Sequence, residues 1–312
     1  MSRAFVFPGQ GSQAVGMGKA LAEASAAARE VFEEVDDALG QKLSRLMFEG
    51  PEDQLTLTEN AQPAIMAASI AALRVLEVEG KLRLADKADY VAGHSLGEYS
   101  ALCAAGALTL SQTAKLLKLR GQAMQAAVPV GEGAMAALLG LDLEAAQAAA
   151  AEAAQGEVCS AANDNAPGQV VVSGHKAAVE RAIEIAKGRG AKRAILLPVS
   201  APFHCALMQP AADAMEKALA EADVRAPFVP LVANVTAAPV SAPDDIRRLL
   251  VEQVTGMVRW RESVSAMVGL GVDGFVECGG KVLGPMIKRI EGDAATTSLV
   301  TMADIEAFAA TL

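Results

Sequence analysis

Histidine is scarce in this chain, with only His94, His175 and His204 among 312 residues. Any chemistry that needs an imidazole therefore has three candidates. Clustered cysteine is missing too: Cys103, Cys159, Cys205 and Cys278 are scattered, with no CxxC pair and no zinc-like or disulfide-like spacing. That usage fits a reducing cytoplasm and offers no ligand cluster for a metal. Hydrophobic residues reach 52%, but much of this is alanine, and no run approaches the ~18 apolar residues that a bilayer span requires. Only four apolar residues stand between Arg3 and Pro8. This is too few for a signal-peptide core and reads as a first β-strand. Positive charge is not in excess. The net charge of −10 argues against nucleic acid as a partner. Internal repeats and low-complexity linkers are also absent.

What is present is an alternation of short apolar runs with helical patterns, the mark of an α/β protein. Ala4 to Phe7 is predicted as a buried strand closed by Pro8-Gly9. Residues 17–40 read as helix ending at Gly40, and a second helix runs from about Ala61 through Leu76. Tyr90-Val91-Ala92 reads as a short strand and Leu96 to Ala105 as helix, with Ser111 as N-cap of the next helix, to about Ala127. From residue 130 to 198 the rhythm changes. Strands at Ala134–Leu139, Val158–Ala162, Gln169–Ser173 and Ala194–Val199, with helices at Leu143–Ala154 and Ala177–Lys187, make a βαββαβ pattern, the ferredoxin-like split unit. An Asn-Asp-Asn-Ala-Pro-Gly turn joins the middle strands. The expected organisation is a larger α/β body of residues 1–128 and 199–312, with residues 129–198 as an inserted smaller domain. Strand-like runs resume at Val229–Val235 and Gly274–Glu277.

Gly93-His94-Ser95-Leu96-Gly97 matches GxSxG, a weak signal as a bare string. Here a strand enters it and a helix leaves it, as a nucleophile elbow requires. Glycines flank the serine because the turn leaves no room for Cβ atoms. Ser95 then stands at a helix N-terminus, where backbone N–H groups can stabilise an oxyanion. Serine needs a base. His94 adjoins Ser95 and is expected to pack beside the pocket, while His175 opens a helix as a cap or surface turn. His204 follows a strand and the loop Ser200-Ala-Pro-Phe, a strand-end position where site residues gather. A helix N-terminus beside it would disfavour the imidazolium; a purely structural histidine is the alternative. No carboxylate stands out as a third member. The helix from Asp244 to Gly256 ends in last-turn carbonyls, Gln253 included, that lack intrahelical donors. One of these could accept the imidazole N–H, or simply be solvated.

In the helix from Ser111 to Met124 the apolar stripe runs through Thr113, Leu116/Leu117 and Met124, and Arg120 falls on it. A buried guanidinium needs a partner, and its rigid fork suits a carboxylate. The alternatives are an internal Asp or Glu, a side chain that snorkels its head group to water, or the acid end of a substrate. Phe7-Pro-Gly9-Gln10-Gly11-Ser-Gln-Ala14 loosely fits a dinucleotide fingerprint, but residues 17–40 continue as helix where a second strand is needed. Such a loop can instead aim a backbone N–H, that of Gln10, at an oxyanion.

Taken together, Phe-Pro-Gly-Gln10-Gly-Ser-Gln, Gly-His-Ser95-Leu-Gly-Glu-Tyr-Ser, Arg120, Pro-Phe-His204, Val-Glu-Gln253-Val and Gly-Gly-Lys-Val-Leu-Gly resemble the bacterial malonyl-CoA:acyl carrier protein transacylases. They also resemble the acyltransferase domains of polyketide synthases, and the match covers nearly the whole chain in order. The resemblance implies an α/β-hydrolase-like larger domain with a ferredoxin-like insert. It implies Ser95 as nucleophile, His204 as base oriented by the Gln253 carbonyl, and Gln10 and Leu96 backbone N–H groups as the oxyanion hole. Arg120 would clamp the malonyl carboxylate, and Phe203 is similar to the bulky residue that malonyl-selective polyketide relatives carry before the histidine. The partners implied are malonyl-CoA and acyl carrier protein, with no membrane, no metal and no cofactor, and the chain is expected to act as a cytoplasmic monomer. Carrier proteins in such systems are acidic, so Lys115/Lys118, Lys192/Arg193 and Lys288/Arg289 are candidate docking pairs. A serine hydrolase or thioesterase, or a non-catalytic carrier-binding module, are the rival readings.

Overall fold

A computed structural model describes residues 2–312. Its main sheet contains β1 (Arg3–Phe7) and β2 (Tyr90–Gly93) from the first part of the chain. The strands β3 (Gly133–Leu139), β4 (Cys159–Ala166), β5 (Gln169–His175) and β6 (Arg193–Leu196) form a separate sheet. The chain then returns to the main sheet with β7 (Leu231–Val232), β8 (Pro239–Val240), β9 (Gly274–Cys278) and β10 (Ala295–Leu299). The main sheet has the order β10-β9-β1-β2-β7-β8, parallel throughout except for the β7–β8 edge.

Parallel strands are buried on both faces, and the sequence alternates accordingly. Phe5, Phe7, Val91 and Val276 face one core with the helices Ala26–Leu39, Thr58–Glu79 and Leu110–Ala126. Ala4, Val6, Ala92 and Phe275 face another, with Trp260, Val264 and Leu283. Thr58–Glu79 is the one helix among the described residues long and apolar enough to cross a bilayer; 83% of its most apolar stretch lies inside the protein, where alanines let neighbouring helices approach. It is a core helix.

The smaller sheet is antiparallel, ordered β4-β5-β3-β6. Helices Leu143–Ala154 and Lys176–Gly188 cover it with an alanine- and valine-rich core, giving the βαββαβ order read from the sequence.

Several boundaries differ from the sequence reading. The segment 17–40 is two helices, Lys19–Ala24 and Ala26–Leu39, divided where Ser25 turns extended at φ −129°. Short helices at Leu43–Glu49 and Glu52–Thr56 were not expected. The N-cap of the arginine-bearing helix is Thr109, not Ser111: Thr109 Oγ1 accepts from Gln112 N while Gln112 Oε1 accepts from Thr109 N, a reciprocal capping box. Strand β4 continues through the expected turn to Ala166, interrupted by two irregularities, so the turn proper is only Pro167-Gly168. Strands β6 and β7 end earlier than expected, at Leu196 and Val232.

Candidate active site

Sites in parallel sheets gather beyond the carboxyl ends of the strands, and three strand ends meet here. The end of β1 delivers Gly9 and Gln10, the end of β2 delivers Ser95, and the end of β7 delivers Asn234. Ser95 sits at φ +54° between β2 and the helix Gly97–Ala104, a left-handed conformation uncommon for a residue with a Cβ. The flanking glycines are required by contact. A Cβ on Gly93 would lie 1.9 Å from the Gly97 carbonyl, and one on Gly97 would lie 2.2 Å from the Phe7 oxygen. Asn234 braces the turn: its Oδ1 accepts from Ser95 N at 2.8 Å and its Nδ2 donates to the Gly93 oxygen at 2.6 Å.

The Ser95 hydroxyl lies 2.8 Å from His204 Nε2. His204 Nδ1 lies 2.8 Å from the Gln253 carbonyl oxygen and 3.2 Å from that of Gly256. Both carbonyls are acceptors, so Nδ1 carries the proton and Nε2 presents its lone pair to the serine. The Gln253 carbonyl is free because the last turn of the helix Pro243–Thr255 has no intrahelical donors, and Gly256 is the residue just past that helix end. Burial, then the nearby Arg120 cation, push the His204 pKa down to about 3, against the opposing backbone hydrogen bonds. The sequence reading assigned this effect to a helix N-terminus; the causes are burial and Arg120. His204 itself sits in a loop at φ +57°.

Arg120 is 1% exposed. Its protein acceptors are all neutral: Gln62 Oε1 at 2.9 Å, Gln253 Oε1 at 2.7 Å and Ser95 Oγ at 3.1 Å, while its Nε has none. The internal Arg–carboxylate bridge considered from the sequence is not what holds it. A buried guanidinium with amide partners retains its capacity for a carboxylate from outside. Its face also lies 5.7 Å from the centroid of the Tyr99 ring.

These groups open onto a cavity of about 480 Å³, lined among others by Gln10, Gln62, His94, Ser95, Arg120, Asn163, Asn165, Phe203 and His204. The backbone N–H groups of Gln10 and Leu96 donate to no backbone or side-chain acceptor among the described residues. Leu96 is the residue immediately before the elbow helix. The Phe203 ring is 7% exposed and forms part of the wall. His94 turns away from the serine, its Nε2 2.7 Å from Asn165 Oδ1 and its ring against Trp260. His175 is remote, with Nδ1 accepting from Val158 N at 2.9 Å in the smaller sheet. No group of three or more His, Cys, Asp or Glu positioned to hold a metal occurs among the described residues.

Sequence reasoning missed Gln62, Asn165, Asn234 and Glu98, all in contact with the site. Glu98 stands within the Gly-His-Ser-Leu-Gly-Glu-Tyr-Ser run and Asn165 within the Asn-Asp-Asn turn, but neither carried a role there; Asn234 fell inside the strand-like run Val229–Val235, and Gln62 on a long helical pattern. Of the docking pairs, Lys115/Lys118 is split. Lys118 is half-buried and bound to Gln41, Asn60 and Glu59 at 3.0 to 3.1 Å, while Lys115, Lys192, Arg193, Lys288 and Arg289 are exposed.

A profile of the acyl transferase domain matches residues 4–279. The chain is 46% identical over 305 residues to the malonyl CoA-acyl carrier protein transacylase of Bacillus subtilis, covering 97% of this chain and 95% of that protein. The acyl-carrier-protein S-malonyltransferase of Bartonella henselae superposes with a TM-score of 0.97 at 56% identity, covering 100% of this chain and 99% of the other. A malonyl-transacylase solved in complex with its type II polyketide acyl carrier protein superposes at 0.96 with 42% identity, over the full length of both chains.

Proposed function

The chain belongs to the acyl transferase family of malonyl-CoA:acyl carrier protein transacylases, and we propose that it works through a malonyl ester on Ser95. It moves malonyl groups from coenzyme A to the phosphopantetheine thiol of acyl carrier protein, supplying fatty acid or polyketide chain elongation. The observation that carries the site assignment is the Ser95 hydroxyl shared between His204 Nε2 and the Arg120 fork.

Arg120 binds the free carboxylate of the malonyl group bidentately, which sets the thioester carbonyl beside Ser95 Oγ. Ser95 attacks that carbon as its proton passes to His204 Nε2, and the Gln253 carbonyl stabilises the resulting imidazolium through Nδ1–H. The oxyanion is received by the Gln10 and Leu96 N–H groups. Collapse breaks the C–S bond, and His204 returns its proton to the departing coenzyme A thiol. The carrier thiol then enters, gives its proton to His204, attacks the ester carbonyl and releases the serine alkoxide, which takes the proton back. The two thioesters and these side chains account for every bond made and broken, so no further cofactor is invoked. We place the enzyme in the cytoplasm, where coenzyme A thioesters and carrier protein are found together, and divide it at residues 129–198 into the insert and 1–128 with 199–312 into the body. The buried guanidinium favours this reading over a plain serine hydrolase, which gains nothing from it. Exposed Lys192/Arg193 and Lys288/Arg289 are the remaining candidates for carrier docking. Replacing both pairs with glutamine should slow carrier turnover while malonylation by coenzyme A continues.

Intact-mass measurement with malonyl-CoA tests the chemistry. The wild-type chain gains one malonyl mass, Ser95→Ala gains none, and Arg120→Ala loses malonylation by about 100-fold or more while acetylation is spared or raised, since removing a buried charged partner costs about 3 kcal/mol. An Arg120→Ala enzyme with an unchanged malonyl-to-acetyl ratio removes the clamp from the mechanism.

A further inference from the structure

Glu98 is the one carboxylate in the polar cluster behind Ser95, and no transfer step uses it. It lies in the first turn of the elbow helix and is 1% exposed. Its Oε2 accepts from Gln253 Nε2 at 2.7 Å and from Asn234 N at 3.4 Å, while Oε1 has no partner. The same Gln253 Nε2 donates to the Ser95 carbonyl at 2.9 Å, and Gln253 Oε1 accepts from Arg120 Nη2 at 2.7 Å.

A terminal amide can rotate by half a turn and exchange its donor and acceptor ends. In the opposite orientation the Gln253 NH2 would face the guanidinium, donor against donor, and its oxygen would face the three acceptors of Glu98, Ser95 and Asn234. Glu98 supplies the shortest of the three contacts that hold Nε2 in place, 2.7 Å against 2.9 Å to the Ser95 oxygen and 3.5 Å to Asn234 Oδ1, and in its ionised form the strongest. Interposing the amide matters in a second way. A carboxylate paired directly with Arg120 would neutralise the guanidinium, whereas Glu98 acts from one group further back and leaves neutral acceptors alone on it. Burial raises the Glu98 pKa to about 7, against the lowering influence of Gln253, Asn234 and Arg120. Neutral or ionised, it keeps an oxygen that can accept from Nε2.

We infer that Glu98 is a positioning residue for the acyl-acid site: it orients the Gln253 side-chain amide so that Oε1 meets Arg120, and thereby sets the guanidinium against Ser95 in the wall of the cavity. This rests on the reading of Arg120 as the malonyl clamp. A purely structural Glu98, bracing Asn234 and the elbow, would serve every acyl group alike; a positioning Glu98 serves the dicarboxylic one.

The test is single-turnover acylation by malonyl-CoA and by acetyl-CoA in the wild-type, E98A, E98Q, R120A and E98A/R120A enzymes. Glu98→Ala lowers malonylation about tenfold or more and acetylation by less than about threefold. Glu98→Gln recovers most of the loss because it still offers an oxygen to Nε2, and E98A has no further effect in the R120A background. Equal losses for both acyl groups, an E98Q enzyme as impaired as E98A, or an undiminished E98A effect on top of R120A each overturn the assignment. If R120A keeps its preference for malonyl, the clamp reading falls and this one with it. If R120A loses that preference while E98A is unaffected, only the role of Glu98 falls. Should E98A not fold, Gln253→Met takes its place, keeping Glu98 and the backbone carbonyl while removing the amide. A lowered malonyl-to-acetyl ratio in Q253M supports the relay, and an unchanged ratio overturns it.

Discussion

In the proposed mechanism His204 meets two demands that conflict in water: it must be neutral to accept the Ser95 proton, yet its cation must be tolerated during the reaction. Burial and the Arg120 charge secure the first by holding its pKa near 3, and the Gln253 carbonyl serves the second. Histidine NMR on the Ser95→Ala enzyme should therefore find a neutral, Nδ1-protonated ring at position 204 from pH 8 down to pH 5; titration near the ordinary 6.5 would contradict the burial argument. The sign for stability follows from the same shift. Between the unfolded value of 6.5 and the folded value of about 3, the unfolded chain binds a proton that the folded chain refuses. Its contribution is thus fully present above pH 6.5 and is lost as pH falls through that window. This histidine was legible because the chain has so few; the strand before it, β6, belongs to the smaller antiparallel sheet, so the strand-end rule for parallel sheets does not account for its place. Arg120 was legible because a charge on an apolar stripe is conspicuous. Gln62, Asn165 and Asn234 were not, since a lone amide has no periodic or motif signature and acquires its role only when distant segments meet. Nor could spacing choose between an internal and a substrate carboxylate for Arg120; that took the three neutral acceptors around it.

Arg120 is carried by the helix Leu110–Ala126, and the start of that helix sets its register against Thr58–Glu79. The Thr109/Gln112 capping box pins that start. Thr109→Ala is expected to cost about 1 kcal/mol, whereas Ser111→Ala, whose hydroxyl only reaches exposed Glu34 at 2.7 Å, should stay within about 0.5 kcal/mol. Urea melts of the two variants decide which residue caps the helix, and a larger loss for Ser111→Ala would reverse the assignment. The misreading has a plain cause: Thr109-Leu-Ser111-Gln112 holds two cap-competent residues in a row of four, and only the reciprocal bond to Gln112 distinguishes them. Gly40, by contrast, marked its helix end correctly, with φ +58° and its N–H on the carbonyls of Asp36 and Asp37. The helices at Leu43–Glu49 and Glu52–Thr56 are seven and five residues long, too short for an apolar period to repeat. Strand β4 was cut short for another reason. Its Asn163, Asp164 and Asn165 look like a turn in isolation and are extended only because other elements hold them.

Those elements belong to the main body, which makes β4 the place where the two sheets are tied together. Beyond its first irregularity the strand leaves β5's simple register, and Asp164 N donates to Val258 O while Val258 N donates to Ala162 O, both at 2.9 Å. The Asp164 carboxylate, 1% exposed, takes Arg261 Nε at 2.9 Å and Nη2 at 2.8 Å from the helix Trp260–Gly269. The neighbours Asn163 and Asn165 line the cavity that holds Ser95 and Arg120, and Asn165 holds His94. One ion pair thus fixes the wall that the smaller sheet contributes to the site. Asp164→Ala removes it but leaves Arg261, itself 33% exposed, free to reach water, so the loss is about 1–3 kcal/mol rather than the larger penalty of a stranded buried charge. For a chain of this size that corresponds to a fall of roughly 2–10 °C in Tm. Asp164→Asn, which keeps the shape and one acceptor, should lose less. Because the tether sets a shared wall and not the acid-binding end, malonylation and acetylation should slow by the same factor. This is the opposite pattern to Arg120→Ala, whose effect is confined to malonyl. A lowered Tm with unaltered rates for both acyl groups would mean that the tie supports the fold alone, and that the cavity wall is set by the remaining contacts between the sheets.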